Sequence, residues 1–462
     1  MPSVYQRTLT FNGDAFKIFT IFKDQPLVFF LDSSLHQSQA RFSYIGFAPF
    51  TTVRGRDLSA FKRVFDKYRL AAQGLSFPAG AVGYLGYDGS LFFGFYDTIL
   101  AVDHKAKRLI ISSFSKARIN DILIQLKSCS CESSGPGSEL MSGAPDSSAV
   151  LSATRKLVSL NRPIGQSPSA PNINSSPPDD THVRFKSNFT KAGYIKAVRK
   201  ALEHIRRGDI YQINLSHQIK MQLPHWQKYT EPAAIYRNLR QTFPSEFGAY
   251  FDDGRQVILS ASPERFLKLQ KGMSQVKPMK GTRPRGKTRA QDRMFKEQLQ
   301  KSPKEIAELL MVTDMERNDL GRVCDYASVK VSAMRTIETY KAVFQATSTI
   351  EGHLRRDCDQ FDLLRAAFPS GSVTGCPKIE AMKIIKKLES GPRHLYTGAL
   401  GYMSFSGAMD FNVMIRTMFL NQKQITFHVG GGIVADSRPQ DEWQETWDKA
   451  EPLIAALKQS FL

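Results

Sequence analysis

Apolar positions along the chain follow two spacings, one typical of buried strands and the other of helices that pack on one face. Short apolar runs bounded by turn residues predict strands, of which the clearest are Pro26–Leu31, Arg41–Gly46, Leu109–Ser113, Asp209–Ser216, Gln256–Ser260, Asn412–Phe419 and Ile425–Val429. Helical spacing predicts helices, namely Leu58–Leu70, Tyr194–Arg207, Ile306–Met315, Ile379–Leu388 and Asp441–Leu457. The pattern therefore predicts a protein of mixed strands and helices.

The composition changes in the middle of the chain. Ser, Pro and Gly dominate residues 128–185, and apolar residues are too few there to offset the entropy cost of ordering. We predict a flexible linker over 128–185, with a short helical patch over 150–160. The linker joins an N-terminal supporting region (1–127) to a catalytic region (186–462). The full length of 462 residues also exceeds a typical single hydrophobic core.

Composition and charge narrow the class of partner. Hydrophobic residues make up 42% of the chain and charged residues 23%, as in ordinary soluble globular proteins. The net charge of +20 fits a nucleic acid, an acidic membrane surface or an anionic small substrate. The sequence has no helix-turn-helix, zinc-finger or RNA-recognition signature, and no apolar run approaches the ~18 residues that span a bilayer. We therefore expect an anionic substrate, no nucleic acid and no membrane.

The cysteines and the N-terminus bear on the compartment. Five cysteines without regular spacing argue against a disulfide framework and for a reducing environment. The first residues lack an apolar signal core. We expect a cytoplasmic protein.

Candidate chemistry is concentrated around Lys280, which follows a strand-like run that ends in a Ser-Pro-Glu turn at Glu264. Neighbouring cations lower the pKa of a lysine, and a neutral amine is a nucleophile. Gly281 lets a ligand approach the backbone closely, and Thr282 adds a hydroxyl. A solvated basic loop is the alternative. The cations that crowd Lys280 in the sequence are Lys277, Arg283, Arg285 and Lys287.

Two pairs of glutamates occur at helical spacing. Glu305 and Glu308 lie on one face of a predicted helix, and Glu442 and Glu445 repeat the arrangement near the end of the chain. Two such helices can hold a hard cation such as Mg²⁺ through carboxylate oxygens, with water completing its octahedron. Two solvated helix faces are the alternative.

Two further features suggest anion binding. Gly430, Gly431 and Gly432 follow an apolar strand and can present successive backbone N–H groups to a carboxylate. A β-bulge or a close backbone crossing is the alternative. Arg416 lies among apolar neighbours in a predicted strand, where an unpaired guanidinium would be costly. It therefore needs an anionic partner, either a substrate carboxylate or an internal Asp or Glu.

Several separated motifs resemble the chorismate-utilising enzymes, the family of anthranilate synthase component I, aminodeoxychorismate synthase component I and the isochorismate and salicylate synthases. The motifs are Ser262–Phe266, Pro278–Arg285, Arg317–Asp319 and Phe368–Lys378, and they occur in the family's order. The resemblance is dense over residues 190–450 and looser before them. It implies an α/β (α+β) protein of the anthranilate-synthase-like fold, in which antiparallel sheets pack face to face with helices outside.

The resemblance also implies roles for individual residues. Lys280 is expected to be a covalent nucleophile and Glu264 a general acid/base. Tyr396 and Arg416 are expected to hold the side-chain carboxylate of chorismate. The remaining expected substrate-binding residues are Gly281, Thr282, Thr374, Gly430, Gly431 and Gly432.

Magnesium is the cofactor that the resemblance implies. The family's magnesium glutamates match Glu308 and Glu445. Glu305 and Glu442 would then be secondary or alternative ligands. The metal would orient and neutralise the ring carboxylate of chorismate.

The residue before the Gly-Thr pair differs between activities in the family, and Lys280 matches the enzymes that aminate chorismate at C4. The resemblance therefore implies conversion of chorismate and ammonia to 4-amino-4-deoxychorismate, for p-aminobenzoate and folate synthesis. Formation of anthranilate is the nearest alternative, and a non-catalytic homologue that binds nucleic acid is a more distant one. The chain has no glutaminase signature, so ammonia would come from solution or from a separate glutamine amidotransferase subunit.

Three positions depart from the family pattern. Gln345 stands where the family usually has a His near the departing C4 oxygen, and Gln cannot donate a proton by titrating. Cys376 stands where Ala is usual. Pro244–Gly248 replaces the second motif of the tryptophan site of anthranilate synthases, so tryptophan feedback is not implied.

Overall fold

The computed structural model describes residues 3–35, 41–71, 75–131, 184–222, 231–340, 343–421 and 424–460. Within these ranges the chain forms two large antiparallel sheets and ten α-helices. The linker and the helical patch predicted over 128–185 lie largely outside the described residues. None of the helices described combines the length and the apolar composition that crossing a bilayer requires.

The first sheet has twelve strands in the described part of the chain. Its order is β1 (Tyr5–Thr10), β8 (Arg108–Ser113), β7 (Thr98–Asp103), β3 (Phe42–Gly46), β2 (Phe29–Asp32), β11 (Phe247–Asp252), β12 (Val257–Ser262), β21 (Thr417–Asn421), β22 (Gln424–Ile433), β10 (Gln212–Gln222) and β18 (Gly375–Cys376), with β9 (Phe185–Ser187) also paired to β10.

The second sheet has ten strands within the same ranges. Its order is β15 (Met279–Pro284), β17 (Val343–His353), β14 (Met273–Lys277), β13 (Arg265–Gln270), β20 (Met409–Val413), β19 (Ala399–Ser404), β5 (Gly80–Leu85), β6 (Leu91–Tyr96) and β4 (Thr51–Gly55), with β16 (Lys330–Thr339) also paired to β17. Strands from the N-terminal and C-terminal regions share both sheets, because β2 pairs with β11 and β5 pairs with β19.

The helices are α1 (Ala15–Phe22), α2 (Leu58–Phe65), α3 (Lys116–Cys131), α4 (Lys191–Arg206), α5 (Pro232–Thr242), α6 (Arg289–Lys301), α7 (Pro303–Gly321), α8 (Gln360–Ala367), α9 (Lys378–Leu388) and α10 (Pro439–Lys458). Local sequence sets their ends. The Thr190 side chain accepts a hydrogen bond from the Gly193 amide at the start of α4. Gly208, with a φ of +78°, follows its last turn, as the sequence predicts.

The two sheets pack face to face through an aromatic core. Tyr44 of β3 and Tyr402 of β19 come from different sheets and meet with ring centroids 5.4 Å apart, and Phe77 stacks on Tyr402 at 4.3 Å. Helices α1, α3, α5 and α10 cover the outer face of the first sheet, and α2 and α8 cover the second. The predicted fold, antiparallel sheets packed face to face with helices outside, is confirmed.

The single strand predicted over Asn412–Phe419 is wrong. Strand β20 ends at Val413 in the second sheet, and β21 begins at Thr417 in the first. Residues 414–416 cross between the sheets, and Arg416 lies in this crossover with a φ of +49°. Apolar runs could not reveal the break, because both strands are buried in their own sheets.

Candidate active site

A β-bulge directs Lys280 toward the interior. In β15, Lys280 pairs with Ala346 and Thr282 pairs with Gln345, which leaves Gly281 as an extra residue. Gly281 has a φ of +79°, a conformation that glycine adopts without strain. The half-buried Lys280 donates from Nζ to the carbonyl oxygen of Ser372, 2.9 Å away.

The pKa of Lys280 is lowered, chiefly because burial disfavours its ammonium form. The carboxylates of Glu308, Glu264 and Glu445 oppose this shift, and the ammonium of Lys449 adds to it. The direction predicted from the sequence is therefore confirmed.

The cause predicted from the sequence is wrong. The cations adjacent in sequence are not among the groups that set the pKa of Lys280, and three of the four are paired with carboxylates of their own. Lys277 pairs with Glu338 at 2.6 Å, Arg283 with Glu305 at 2.8 Å and Arg285 with Asp292 at 2.7 Å, and Lys287 is exposed.

Glu264 lies next to the Lys280 amine and is almost fully buried. Burial raises its pKa to about 7, against the opposing effects of the Ser372 hydroxyl and the Lys280 ammonium. Its Oε1 has no hydrogen-bond donor among the described residues. A buried carboxyl with this pKa can be protonated or ionised near neutral pH, which suits a general acid/base.

Sequence reasoning missed Glu316, a buried carboxylate on α7. Its Oε1 accepts hydrogen bonds from the Gly371 amide at 2.8 Å and the Ser370 hydroxyl at 3.0 Å. It thereby holds the loop that presents the Ser372 carbonyl to Lys280. The signal in the sequence was its spacing from Leu309 and Val312, which places a carboxylate on the buried face of the helix.

The glutamate pairs predicted from the sequence lie on α7 and α10, which bring Glu308 and Glu445 close together. The pKa of Glu308 is raised by burial and also by the negative charges of Glu445 and Glu305. The Lys449 ammonium lies 2.6 Å from Glu445 Oε1 and donates to the Gly430 carbonyl oxygen at 3.0 Å. It lowers the pKa of Glu445, although burial alone would raise it.

The other glutamate of each pair is held by a hydrogen bond to one of its two carboxylate oxygens. Glu305 Oε1 accepts from Arg283 at 2.8 Å, and Glu442 Oε1 accepts from the Ser437 hydroxyl at 2.6 Å. The Oε2 atoms of both glutamates are buried without a donor among the described residues. Glycine leaves room for them, because a Cβ on Gly281 would lie 2.7 Å from Glu305 Oε2.

These carboxylates fit a magnesium ion of the kind that is held largely by water and substrate. Within the described ranges, no three His, Cys, Asp or Glu side chains form a metal cage. Mg²⁺ commonly takes only one or two protein carboxylates. The repulsion between Glu308 and Glu445 and the two buried oxygens without donors are conditions that a divalent cation would relieve.

The three glycines lie in a regular part of β22 rather than in a bulge. Gly430–Gly432 pair with Asn214–Ser216 of β10 without a register shift. On the opposite edge of β22, β21 pairs only as far as Phe427. The backbone of the three glycines therefore has no strand partner on that edge in the described chain. The alternative of a close backbone approach is confirmed at Gly430, because a Cβ there would lie 2.4 Å from the Leu215 carbonyl oxygen.

Arg416 and Tyr396 have different neighbours. Arg416 packs over the Phe243 ring at 5.1 Å, forms no ion pair with a carboxylate of the described residues, and has its pKa lowered by burial. An internal acid is therefore not its partner there. Tyr396 stacks on His428 at 4.9 Å, and burial raises the pKa of Tyr396 to about 12.

The remaining predicted residues have different surroundings. Thr374 is fully buried, and its hydroxyl donates to the Ser370 carbonyl oxygen at 3.1 Å, so the hydroxyl stabilises its own loop. Thr282 is exposed at the bulge. Gln345 is buried opposite Thr282 on β17.

The fold and the site together define a class: an α/β protein whose two packed sheets place a half-buried lysine beside clustered carboxylates. The chorismate binding enzyme family matches residues 29–455, and the chain belongs to this family of chorismate-utilising enzymes.

Individual relatives are similar over most of the chain. It is 34% identical to an aminodeoxychorismate synthase of Streptomyces pristinaespiralis over 97% of this chain, but it spans only 64% of that relative's length. It is 32% identical to an anthranilate synthase component 1 of Thermus thermophilus, covering 94% of this chain and 92% of the relative. The crystal structure of anthranilate synthase component I from Streptococcus pneumoniae is 28% identical with a TM-score of 0.68, over 90% of this chain and 93% of that one. Identity alone does not select between these reactions.

Proposed function

We propose that this chain is the chorismate-aminating component of an aminodeoxychorismate synthase, which makes 4-amino-4-deoxychorismate for p-aminobenzoate and folate synthesis. The observation that carries the proposal is the Lys280 amine, held by the Ser372 carbonyl oxygen at 2.9 Å and adjacent to Glu264. Because burial lowers the pKa of Lys280, more of the amine is neutral than in an exposed lysine, and the neutral amine is the nucleophile.

The chain's own residues account for the bonds that change. Lys280 Nζ forms a bond to C2 of the ring, the ring double bonds shift, and the C4–O bond breaks. Glu264, with a pKa of about 7, gives its proton to the departing hydroxide, which leaves as water. Ammonia then bonds to C4, the double bonds shift back, and the bond from Nζ to C2 breaks. The surplus proton of ammonia returns to Glu264.

Binding of chorismate uses its two carboxylates. Glu308 and Glu445 would hold Mg²⁺, which when bound neutralises and orients the ring carboxylate. Arg416 and Tyr396 hold the side-chain carboxylate, a role supported by the lack of an internal acid beside Arg416 in the described chain. The backbone N–H groups of Gly430–Gly432 on the unpaired edge of β22 add hydrogen bonds.

Ammonia comes from a separate glutamine amidotransferase subunit in the cytoplasm under this proposal. The second candidate is formation of anthranilate, because the chain is also 32% identical to the anthranilate synthase component 1 of Thermus thermophilus. Mass spectrometry of the products from chorismate, Mg²⁺ and ammonium at alkaline pH separates the two. We expect 4-amino-4-deoxychorismate, which keeps the enolpyruvyl side chain. Anthranilate as the sole product would overturn the proposal.

A further inference from the structure

A solvent-open cleft lies between α4 and the start of α10 and borders the glutamates of α10 through Ser437. Its volume is about 470 Å³, which is within the range of small-molecule sites. Arg199 and Arg206 line it from α4, and Arg438 lines it from the segment before α10. Leu202 and Ser437, both buried, form part of its wall.

The charges of this cleft are not balanced among the residues that the structure describes. Glu203 is the one acidic residue among those that line it, against three arginines. None of the three arginines forms an ion pair with a carboxylate in the described ranges, whereas Arg41, Arg240 and Arg393 elsewhere each pair with an acid. The cleft therefore carries a net charge of +2 from these side chains, and guanidinium forks suit oxyanions with bidentate geometry.

The cleft is linked to the proposed metal site by a short chain of hydrogen bonds. Ser437 lines the cleft and accepts a hydrogen bond on its hydroxyl from the Val434 amide at 3.1 Å. The same hydroxyl donates to Glu442 Oε1 at 2.6 Å. A ligand that shifts Ser437 would therefore move a carboxylate beside Glu445.

We propose that this cleft binds a small dianion of the phosphate class, either inorganic phosphate or a phosphate ester. The double negative charge matches the +2 of the lining residues, and the volume leaves room for an organic group on the phosphate. The cleft contacts the proposed metal site only through the hydrogen bond from Ser437 to Glu442 among the contacts described above.

The test is isothermal titration calorimetry of the full chain with inorganic phosphate and with ribose 5-phosphate, at ionic strength matched with chloride. We expect saturable binding. A triple variant Arg199→Gln, Arg206→Gln, Arg438→Gln should weaken it at least about tenfold, because three charge-assisted hydrogen-bond donors are lost. Glu203→Gln should tighten it, because the one negative charge in the lining disappears.

A matched triple variant controls for the general electrostatic attraction of a basic protein for anions. Lys17→Gln, Lys67→Gln and Lys105→Gln remove three exposed positive charges from the N-terminal region and should leave the affinity unchanged. The unfolding midpoints of both triples should match the parent, because all six side chains are exposed. Tighter binding of ribose 5-phosphate assigns the cleft to an ester, and equal binding assigns it to inorganic phosphate. Binding that does not saturate, or an equal loss of phosphate affinity in both triple variants, would overturn the proposal.

Discussion

Lys280 Nζ and the carbonyl oxygen of Ser372 lie 2.9 Å apart, and this hydrogen bond joins the bulged strand β15 to the loop before α9. The loop is in turn held by Glu316 through Ser370 and Gly371. The amine is thereby fixed between Glu264, in the turn between β12 and β13, and Glu308 on α7, which both interact with its charge.

Substitution of this amine tests its covalent role. We expect Lys280→Ala to lower turnover of chorismate with ammonia by about three orders of magnitude or more, because the nucleophile is lost. Intact-protein mass spectrometry should show a chorismate-derived adduct on the parent and none on the variant. The exposed Lys287 provides the control, and Lys287→Ala should retain both adduct and turnover. Undiminished turnover in Lys280→Ala would contradict the assignment.

Glu264 should make the stability of the protein depend on pH. Its pKa rises from 4.5 to about 7 on folding, so the folded state holds the proton more tightly than the unfolded state. The free energy of unfolding should therefore fall by roughly 3 kcal/mol as pH rises through this window, because the buried carboxyl must ionise. Glu264→Gln removes this titration, so the variant should gain stability relative to the parent as pH rises, while losing activity.

Chemical denaturation at several pH values measures this effect. Glu451→Gln, at an exposed position on α10, is the control and should keep the pH dependence of the parent. Parallel stability profiles for Glu264→Gln and the parent would show that the carboxyl titrates in the folded state as it does in the unfolded chain.

The two facing glutamates should determine magnesium binding. Glu308→Gln and Glu445→Gln should each weaken Mg²⁺ binding by about tenfold or more, because each removes a charged oxygen ligand. Calorimetric titration with Mg²⁺ in the presence of chorismate measures this affinity. Asp448→Asn, one turn from Glu445 on the exposed side of α10, should bind Mg²⁺ like the parent. An unchanged Mg²⁺ affinity in both glutamate variants would show that these residues are not ligands of the metal.

Two neighbouring glycines should respond differently to the same substitution. Gly430→Ala places a Cβ 2.4 Å from the Leu215 carbonyl oxygen, so we expect a loss of about 2–4 kcal/mol in the free energy of unfolding. Gly431→Ala places a Cβ 3.3 Å from Glu442 Oε2 and 3.5 Å from Glu445 Oε1. It should leave stability nearly unchanged but weaken Mg²⁺ binding, since the Glu442 carboxylate must shift by a few tenths of an ångström. Equal destabilisation by both variants would contradict the assignment of Gly430 to folding and Gly431 to the metal site.

Arg416 should contribute to binding but not to folding. Its guanidinium is buried without an internal acid in the described chain, so Arg416→Gln should keep or raise the unfolding midpoint. The KM for chorismate should rise by about tenfold or more, because a charged hydrogen-bond partner of the substrate is lost. Arg393→Gln is the contrast, since Arg393 pairs with Glu389 at 2.7 Å and its loss should destabilise the fold. An unchanged KM in Arg416→Gln would refute the carboxylate role.

Local sequence determined those features that depend on neighbouring residues. The spacing of apolar positions located the helices that carry Glu305, Glu308, Glu442 and Glu445, because helical periodicity is a property of a short segment. The motifs around Lys280 and Phe368–Lys378 were sufficient to indicate the family and, through it, the fold. Gly208 marked the end of α4 by its own conformational freedom.

Only the tertiary structure decided which groups meet. The cations next to Lys280 in sequence pair with acids, and burial together with carboxylates from other elements sets its environment instead. The break at Arg416 depends on two strands joining different sheets, and the buried Glu316 depends on a loop more than fifty residues away. Burial and charge proximity arise between segments distant in sequence, so no local pattern of residues encodes them.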